Sequence, residues 1–376
     1  MKKILIYSIA YHPFVGGAEV AVKEITDRIS DIEFHMLTLN LDGKQRKYEK
    51  IGNVHVHRIG SGNVGKYLFP FISLPKALSL HRKTRFDAIW SIMANYAGFG
   101  ALFFKIFKPK LTFILTLQEG DPIDHIKRRV GLFYPLFRQI FKRANVVQAI
   151  SNYLANFAKN MGYAGDVEVI PNGVDTYIFS RDYGEQELGA LRWQFHKETK
   201  DVFLVTTSRL VTKNAVSDVI SALHFLPNNV KFLIVGVGPL EKSLKKLALD
   251  LGVDKRVIFA GFVEYKEIPK YLKISDIFIR PSLSEGMGNS FIEAMAAGIP
   301  VIATPVGGIP DFLKENKTGL FCKVQNGESI ALCVNKILDN EKLRKDIVSN
   351  ALKMVAKEYD WAHIVRQMED SVFAKI

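Results

Sequence analysis

Short hydrophobic runs alternate with segments of helical periodicity along almost the whole chain. This alternation predicts parallel α/β layering and argues against a β-sandwich or a helical bundle. The pattern falls into two blocks. In the first block, strands are predicted at residues 4–8, 34–39, 54–59, 88–92, 111–117, 146–150 and 167–170. In the second block, they are predicted at residues 202–207, 230–235, 257–262, 277–280, 300–304 and 319–323.

A polar stretch separates the two blocks. Turn-forming residues occupy positions 171–175, and segment 181–200 has little strand character. We therefore predict an N-terminal domain at residues 1–180 and a C-terminal domain at residues 181–360. Each block is typical of a doubly wound Rossmann-like unit, whose ligands bind beyond the carboxyl ends of the strands. Two such units facing each other are expected to enclose a cleft.

The composition excludes several classes of protein. With 376 residues, 48% of them hydrophobic, the chain is long enough for two or three domains with large cores. Cys322 and Cys333 are too few for a disulfide framework or a thiolate zinc site. The uncharged runs 88–104 and 294–310 are broken by polar or turn residues, and no signal-peptide cleavage site follows the apolar start. We expect a cytoplasmic protein without a membrane span.

The positive charge is unevenly distributed. The formal net charge is +13, and residues 1–180 contain 24 basic and 14 acidic side chains. The N-terminal half is therefore expected to meet something anionic. Nucleic acid, a phosphorylated substrate and an acidic membrane surface are the candidates.

The most informative segment begins at the end of the strand 277–280. A loop with Gly286 and Gly288 follows, and a two-turn helix is predicted from about Ser290. Free amides at a helix start bind anions such as a diphosphate. Glu285 in the loop and Glu293 in the first turn can border the same ligand. Alternatively, Ser290 and Glu293 form a capping box, and Glu285 is a solvated loop acid.

This segment resembles the retaining nucleotide-sugar glycosyltransferases of family four, which have the GT-B fold. Its hallmark is two glutamates separated by seven residues and followed by Ala-Met-Ala-Ala-Gly-x-Pro-Val, as at Glu285 and Glu293 here. The resemblance implies that Glu285 binds the donor sugar and that Glu293 binds the ribose hydroxyls. It also implies that the amides of four residues border sugar and phosphate: Met287, Gly288, Asn289 and Ser290.

Three further segments resemble the same family in order and spacing. The loop at 13–19 implies donor-phosphate contacts at Gly16 and Gly17, although a plain strand-to-helix turn would have the same sequence. The segment 208–213 implies a cationic clamp, Arg209 and Lys213, on the diphosphate; alone, it would be interpreted as a solvated basic loop. Segment 169–175 resembles the interdomain turn, and the helix at 361–376 the one that crosses back to the first domain.

The sequence departs from the family at two positions. Asn214 follows the clamp lysine where glycine is common, and Gln118 stands where a histidine is usual. An amide cannot shuttle a proton. A general-base role would therefore fall to Glu119, to Asp121 or to a phosphate oxygen of the donor. His125 is interpreted as a surface histidine.

The resemblance also bears on the mechanism and on cofactors. Retention of configuration is expected without a nucleophilic carboxylate, because the departing diphosphate can take the acceptor's proton. No Asp-x-Asp motif is present, so we expect no metal and no other cofactor. His55 and His57 lack an evident third ligand and are interpreted as part of an exposed strand face.

The expected partners are a nucleotide-sugar donor and a glycan or lipid-linked acceptor of the cell envelope. Segment 126–143 combines apolar helical faces with six basic residues, and segment 67–75 has a similar character. Both favour peripheral contact with an anionic membrane, although a helix packed on the sheet is the simpler interpretation. A GT-B epimerase is an alternative function, and a basic nucleic-acid binder is a weaker one because no recognisable motif supports it.

Overall fold

The computed structural model describes residues 1–14 and 16–376 and divides the chain into two units. The first unit comprises Met1–Gly173 and Trp361–Ile376, and the second comprises Val174–Asp360. The predicted boundary at residue 180 is therefore too late. Asp175 Oδ1 accepts a hydrogen bond from the amide of Ile178 and begins a short helix, and Phe179 of that helix packs on Tyr265, so this segment belongs to the second unit.

The first unit is built on an eight-stranded sheet in the order β3-β4-β2-β1-β5-β6-β7-β8. Its strands are β1 Lys2–Tyr7, β2 Ile32–Asn40, β3 Tyr48–Ile51, β4 Val54–Ser61, β5 Ala88–Ile92, β6 Thr112–Leu117, β7 Val146–Ala149 and β8 Val167–Val169. All adjacent pairs are parallel except β3 and β4. Strand β3 was not predicted, because its residues alternate between exposed and half-buried and include two charges.

The second unit contains a six-stranded parallel sheet in the order β11-β10-β9-β12-β13-β14. Its strands are β9 Val202–Thr207, β10 Val230–Val235, β11 Val257–Gly261, β12 Ile277–Arg280, β13 Val301–Ala303 and β14 Leu320–Phe321. All six were predicted, with ends that differ by at most two residues. Their side chains form a core that includes Leu204, Phe232 and Ile279.

Helices connect the strands in both units. Those that precede the second sheet are α1 Gly17–Arg28, α2 Gly62–Thr84, α3 Tyr96–Phe107, α4 Ile123–Val130, α5 Tyr134–Arg143, α6 Asn152–Met161, α7 Thr176–Ser180 and α8 Glu185–Gln194. The others are α9 Val216–Ala222, α10 Glu241–Asp250, α11 Ile268–Lys273, α12 Asn289–Ala296, α13 Ile309–Phe312, α14 Gly327–Asp339, α15 Glu341–Glu358 and α16 Trp361–Ser371. Trp361 and Met368 of α16 are buried in the core of the first unit.

The segment 126–143 is not one continuous helix. Gly131, with φ of +53°, separates α4 from α5. Phe137 and Phe141 of α5 are buried, whereas Leu132 and Phe133 in the break are 98% and 68% exposed. Packing on the sheet therefore accounts for α5, and the exposed apolar character is confined to the break.

His55 and His57 do not form a simple exposed strand face. His35 Nδ1 lies 3.2 Å from His57 Nε2, and the His55 ring stacks on the His35 ring. Tyr48 of β3, the missed strand, lies over the same side of the sheet and places its hydroxyl 2.9 Å from His55 Nδ1. Burial lowers the pKa of His57 to about 4, so that imidazole is neutral at physiological pH.

Across residues 1–14 and 16–376, no helix has both the length and the apolar character needed to cross a bilayer.

Candidate functional site

The loops that follow β9, β10 and β12 meet at the carboxyl edge of the second sheet. The amide of Leu210 donates to the carbonyl of Val237 at 3.1 Å, which joins the loops after β9 and β10. The amide of Leu283 donates to the carbonyl of Lys213 at 2.7 Å, which joins the loops after β9 and β12. The segments carrying the predicted clamp and the predicted glutamates are therefore held together by main-chain hydrogen bonds.

Glu285 is fixed by its own loop and by a buried arginine. Arg280 Nη2 donates to Glu285 Oε2 at 2.6 Å. The amide of Gly308 donates to the Glu285 carbonyl at 3.1 Å. Gly307 allows this approach, because a Cβ there would overlap the Glu285 carbonyl oxygen. Both the main chain and the carboxylate of Glu285 are thus held in one position.

Helix α12 begins at Asn289, one residue earlier than predicted. Gly288 precedes it with φ of +92°, a conformation that favours glycine. The capping-box alternative is wrong, because Ser290 lies inside the helix and its Oγ accepts a hydrogen bond from Arg280 Nη1 at 2.7 Å. Glu293 lies in the second helical turn, not in the first as predicted, because the helix starts earlier. Met287, two residues before the start of α12, is buried.

Glu293 is partly buried among groups that influence its charge. Burial raises the pKa of its carboxyl to about 7, while the positive charge of Arg280 and a hydrogen bond with Tyr265 act in the opposite direction. Near neutral pH this side chain therefore exists in both protonation states. A carboxylate accepts hydrogen bonds only, whereas the protonated form also donates one, so the protonation state changes what this side chain can bind.

Arg209 is exposed, and Lys213 is half-buried in the same loop. The departure from the family at Asn214 has a structural role, because its buried side-chain amide donates to the carbonyl of Arg209 at 2.7 Å. Ala215 then takes a positive φ of +50° at the start of α9. Asn214 thus closes the loop that carries both cations.

In the first unit, Gln118 and Glu119 follow β6 but have different surroundings. Gln118 forms a reciprocal amide pair with Asn172, at 2.9 and 3.0 Å. Glu119 is 9% exposed and accepts a hydrogen bond from the amide of Ala94 through Oε1. Its Oε2 has no hydrogen-bond partner among the residues that the structure describes. Burial raises the pKa of Glu119 to about 7.

The other candidates of the first unit lie at the surface. Gly16 and Gly17 are exposed at the start of α1, and the amide of Gly16 donates to Glu19 Oε2 at 2.8 Å. Val15 of the same loop lies outside the described residues. Asp121 forms a long ion pair with Arg129, and His125 is exposed.

Comparison with known proteins identifies the family. The sequence model of the family described as glycosyl transferases group 1 matches residues 189–354. The sequence model of the family described as glycosyltransferase family 4 matches residues 15–177. An uncharacterised glycosyltransferase of Methanocaldococcus jannaschii is 31% identical, over 97% of this chain and 96% of its own length. This chain belongs to the group 1 glycosyltransferases.

Two other relatives of this glycosyltransferase are informative. A GDP-mannose-dependent α-(1-6)-phosphatidylinositol monomannoside mannosyltransferase of Mycobacterium tuberculosis is 31% identical, over 63% of this chain and 64% of its own length. The crystal structure of Anabaena HepE in complex with UDP and glucose aligns with a TM-score of 0.82 over 100% of both chains, at 20% identity. The two Rossmann-like units of this glycosyltransferase therefore have the GT-B fold, as predicted.

The structure adds residues that sequence reasoning did not assign to the site. Val237 and Phe262 are exposed apolar residues directly beyond β10 and β11, on the edge that carries Arg209. Arg280 ends β12 beneath the glutamate loop. In the sequence, Arg280 could have been recognised as a site residue because it is a charged residue at the end of an otherwise apolar strand.

A glycine pair tests whether the main-chain position of Glu285 matters for turnover. Gly307→Ala introduces a Cβ that must displace the Glu285 carbonyl, whereas Gly252→Ala meets no atom within 4 Å; both residues have positive φ, +58° and +67°. We expect the left-handed φ to cost each variant about 1–2 kcal/mol of unfolding free energy, and Gly307→Ala to lose more because its Cβ overlaps the main chain. Only Gly307→Ala should also lose turnover of the folded enzyme, by about 10²-fold. Thermal unfolding and release of nucleoside diphosphate are the measurements, and equal activity in the two variants would contradict the assignment.

Proposed function

We propose that this glycosyltransferase moves a hexose from a UDP- or GDP-linked donor to an acceptor hydroxyl with retention of configuration. One observation supports this most strongly: main-chain hydrogen bonds join the loop of Arg209 and Lys213 to the loop of Glu285. The loop of two cations suited to a diphosphate therefore adjoins the loop of Glu285 and the helix of Glu293, two carboxylates suited to sugar hydroxyls. Val237 and Phe262 extend the same edge and supply apolar surface for a nucleobase.

The chemistry follows from this charge distribution. When the bond between the sugar and the diphosphate breaks, negative charge accumulates on the leaving oxygen. Arg209, Lys213 and the amino end of α12 stabilise that charge at the stage where it is greatest. Because a diphosphate oxygen can also accept the acceptor's proton, transfer on the same face of the sugar requires no carboxylate nucleophile.

A second proton acceptor is available in the first unit. Glu119 carries an unpartnered Oε2, and its raised pKa makes a neutral carboxyl and a carboxylate both accessible near pH 7. Gln118 is less suited to contact the substrate, because both ends of its amide are engaged with Asn172. We therefore assign the contribution of this loop to Glu119, with Gln118 holding the loop in place.

The donor class rests on the relatives as well as on the site. Anabaena HepE was crystallised with UDP and glucose, and the mycobacterial mannosyltransferase depends on GDP-mannose. We propose that no metal is needed, because Arg209 and Lys213 supply two positive charges that can neutralise the diphosphate. Activity should therefore persist in the presence of EDTA.

We also propose that the first unit contacts an anionic membrane surface, from the cytoplasmic side, to reach a lipid-linked envelope acceptor. Leu132 and Phe133 project from the break between α4 and α5, next to three exposed basic residues at the end of α4. Tyr67 and Phe71 of α2 are also exposed. Apolar side chains flanked by basic residues are typical of peripheral membrane contact.

Removing either clamp cation should lower turnover far more than stability. Arg209→Ala and Lys213→Ala are each expected to slow release of nucleoside diphosphate by about 10²–10³-fold, because stabilisation of the leaving group is lost. Lys317, an exposed residue that precedes β14 at the opposite edge of the sheet, provides the control, and Lys317→Ala should leave the rate unchanged. The assay uses UDP-glucose and GDP-mannose in EDTA. Wild-type rates in both clamp variants would refute the clamp, and a rate that only added Mg²⁺ restores would refute metal independence.

Membrane contact should depend on the break between α4 and α5. The double variant Leu132→Ser, Phe133→Ser is expected to bind vesicles of phosphatidylglycerol more than tenfold less tightly, because two large apolar side chains no longer enter the lipid. Phe225→Ser, an exposed apolar residue of the second unit, is the matched control. Vesicle flotation at low and high salt separates the contribution of the apolar side chains from that of the basic residues, because salt screens only the charges. A wild-type chain without affinity for these vesicles would contradict the proposal.

A further inference from the structure

Arg280 is a charged residue in the core of the second unit. It ends β12, and its side chain is 7% exposed. A buried guanidinium is tolerated only when hydrogen-bonded, charged partners replace the water that it has lost. Two of its nitrogens are hydrogen-bonded: Nη2 donates to the charged Glu285 at Oε2, 2.6 Å away, and Nη1 donates to the neutral hydroxyl of Ser290 at 2.7 Å. One planar group thus joins the loop before α12 to the first turn of that helix.

The surroundings leave this guanidinium little freedom. Its Cζ lies 4.3 Å from the centroid of the Phe291 ring, so the ring covers one side of the group. A Cβ at Gly288 would lie 2.7 Å from Nη2 and 2.5 Å from Phe291 Cδ2. The positive φ of Gly288 therefore brings the main chain against the guanidinium in a way that a larger residue would not allow.

Arg280 also acts on the second glutamate. Its positive charge is the largest influence that lowers the pKa of Glu293 against the effect of burial, and Tyr265, from the turn before α11, acts in the same direction. The other elements that pack on α12 are α7, α11, α15 and β13. Their titratable residues include Tyr177 of α7, Lys270, Tyr271 and Lys273 of α11, and Arg344, Lys345 and Lys353 of α15. None of these is among the groups that shift Glu293, so Arg280 is its main source of positive charge.

We propose that Arg280 is a positioning residue whose guanidinium holds the sugar-binding Glu285 and the first turn of α12, and whose positive charge acts on the ribose-binding Glu293. The inference rests on the proposed function, with the separate roles of the two glutamates taken from the resemblance to family four. It gives the basic residues different roles: Arg209 and Lys213 bind the diphosphate directly, whereas Arg280 acts through its carboxylate neighbours. A planar fork can hold Glu285 and Ser290 simultaneously, which a lysine ammonium cannot do in the same geometry.

The proposal predicts how nucleotide binding depends on pH. Glu293 accepts hydrogen bonds from both ribose hydroxyls only as a carboxylate. In the wild-type protein, affinity for a nucleoside diphosphate should therefore fall as pH falls through about 7. Removing the charge of Arg280 removes an influence that lowers the pKa of Glu293. The loss of affinity should then begin at a higher pH, because Glu293 becomes protonated earlier as the pH falls.

Three variants separate the charge of Arg280 from its fork geometry. Arg280→Gln removes the charge, Arg280→Lys keeps the charge but not the fork, and Ser290→Ala removes one fork contact. Arg256→Lys is the matched control. The half-buried Arg256 donates only to the main-chain carbonyls of Leu223, Leu226, Pro227 and Val230 and precedes β11 at the opposite edge of the sheet.

Three quantities are measured on the full chain of each variant. The first is the titration midpoint of Glu293 without ligand, by carbon-13 NMR of carboxyl-labelled glutamate, with Glu293→Gln to assign the signal. The second is calorimetric affinity for UDP and for GDP between pH 6 and 9, and the third is kcat for release of nucleoside diphosphate from UDP-glucose and GDP-mannose.

Arg280→Gln should raise the titration midpoint of Glu293 by about 1–3 pH units and weaken nucleotide binding at pH 7 by about fivefold or more, with recovery toward pH 9. Arg280→Lys should keep the midpoint and the affinity near those of the wild type but lower kcat at least tenfold. Ser290→Ala should lower kcat about threefold or more without moving the midpoint. Arg256→Lys should match the wild type in all three quantities.

An unchanged Glu293 midpoint in folded Arg280→Gln would overturn the proposal, as would Arg280→Lys with full kcat. If neither Arg280 variant folds, unchanged kcat in Ser290→Ala overturns it. A wild-type chain that binds neither UDP nor GDP would instead contradict the proposed donor class. The ligand-free titration distinguishes the two failures, because it does not depend on nucleotide.

Discussion

The candidate site depends on the burial of one guanidinium at the end of β12. Once Arg280 is enclosed, its charge requires a carboxylate and a hydroxyl at fixed positions, and Glu285 and Ser290 supply them. Gly288 must then take a positive φ to pass close to the group. The course of the loop, the start of α12 and the position of Glu285 all follow from this requirement.

The two units contribute different kinds of charge. The second unit carries the cations Arg209 and Lys213 in a loop that Asn214 closes, and joins that loop to the glutamate loop through the main chain. The first unit contributes a buried carboxyl, Glu119, whose pKa of about 7 permits exchange of a proton near neutrality. In the proposed function, the cations stabilise the charge of the leaving group, and Glu119 is a second proton acceptor beside the diphosphate itself.

The sequence predicted those features that depend on local pattern. Strands with continuous apolar runs were found in both units, whereas β3 was missed because its residues are partly charged and half exposed. Features that depend on distant contacts were not predictable. Gln118 and Asn172 pair across 54 positions of the chain. The hydrogen bond between Arg280 and Ser290 could not be predicted without knowing where α12 begins. The motif located Glu285 and Glu293, but their different surroundings became evident only in the structure.

In the proposed function, the amino end of α12 binds the diphosphate of the donor while Glu293 and Glu285 hold the ribose and the hexose. A crystal structure of this glycosyltransferase grown with UDP-glucose or GDP-mannose tests it most directly. The account predicts density for the diphosphate between the start of α12 and the side chains of Arg209 and Lys213, with ribose hydroxyls on Glu293. Nucleotide bound at a different edge of the second sheet, or with neither glutamate in contact with it, would contradict the account.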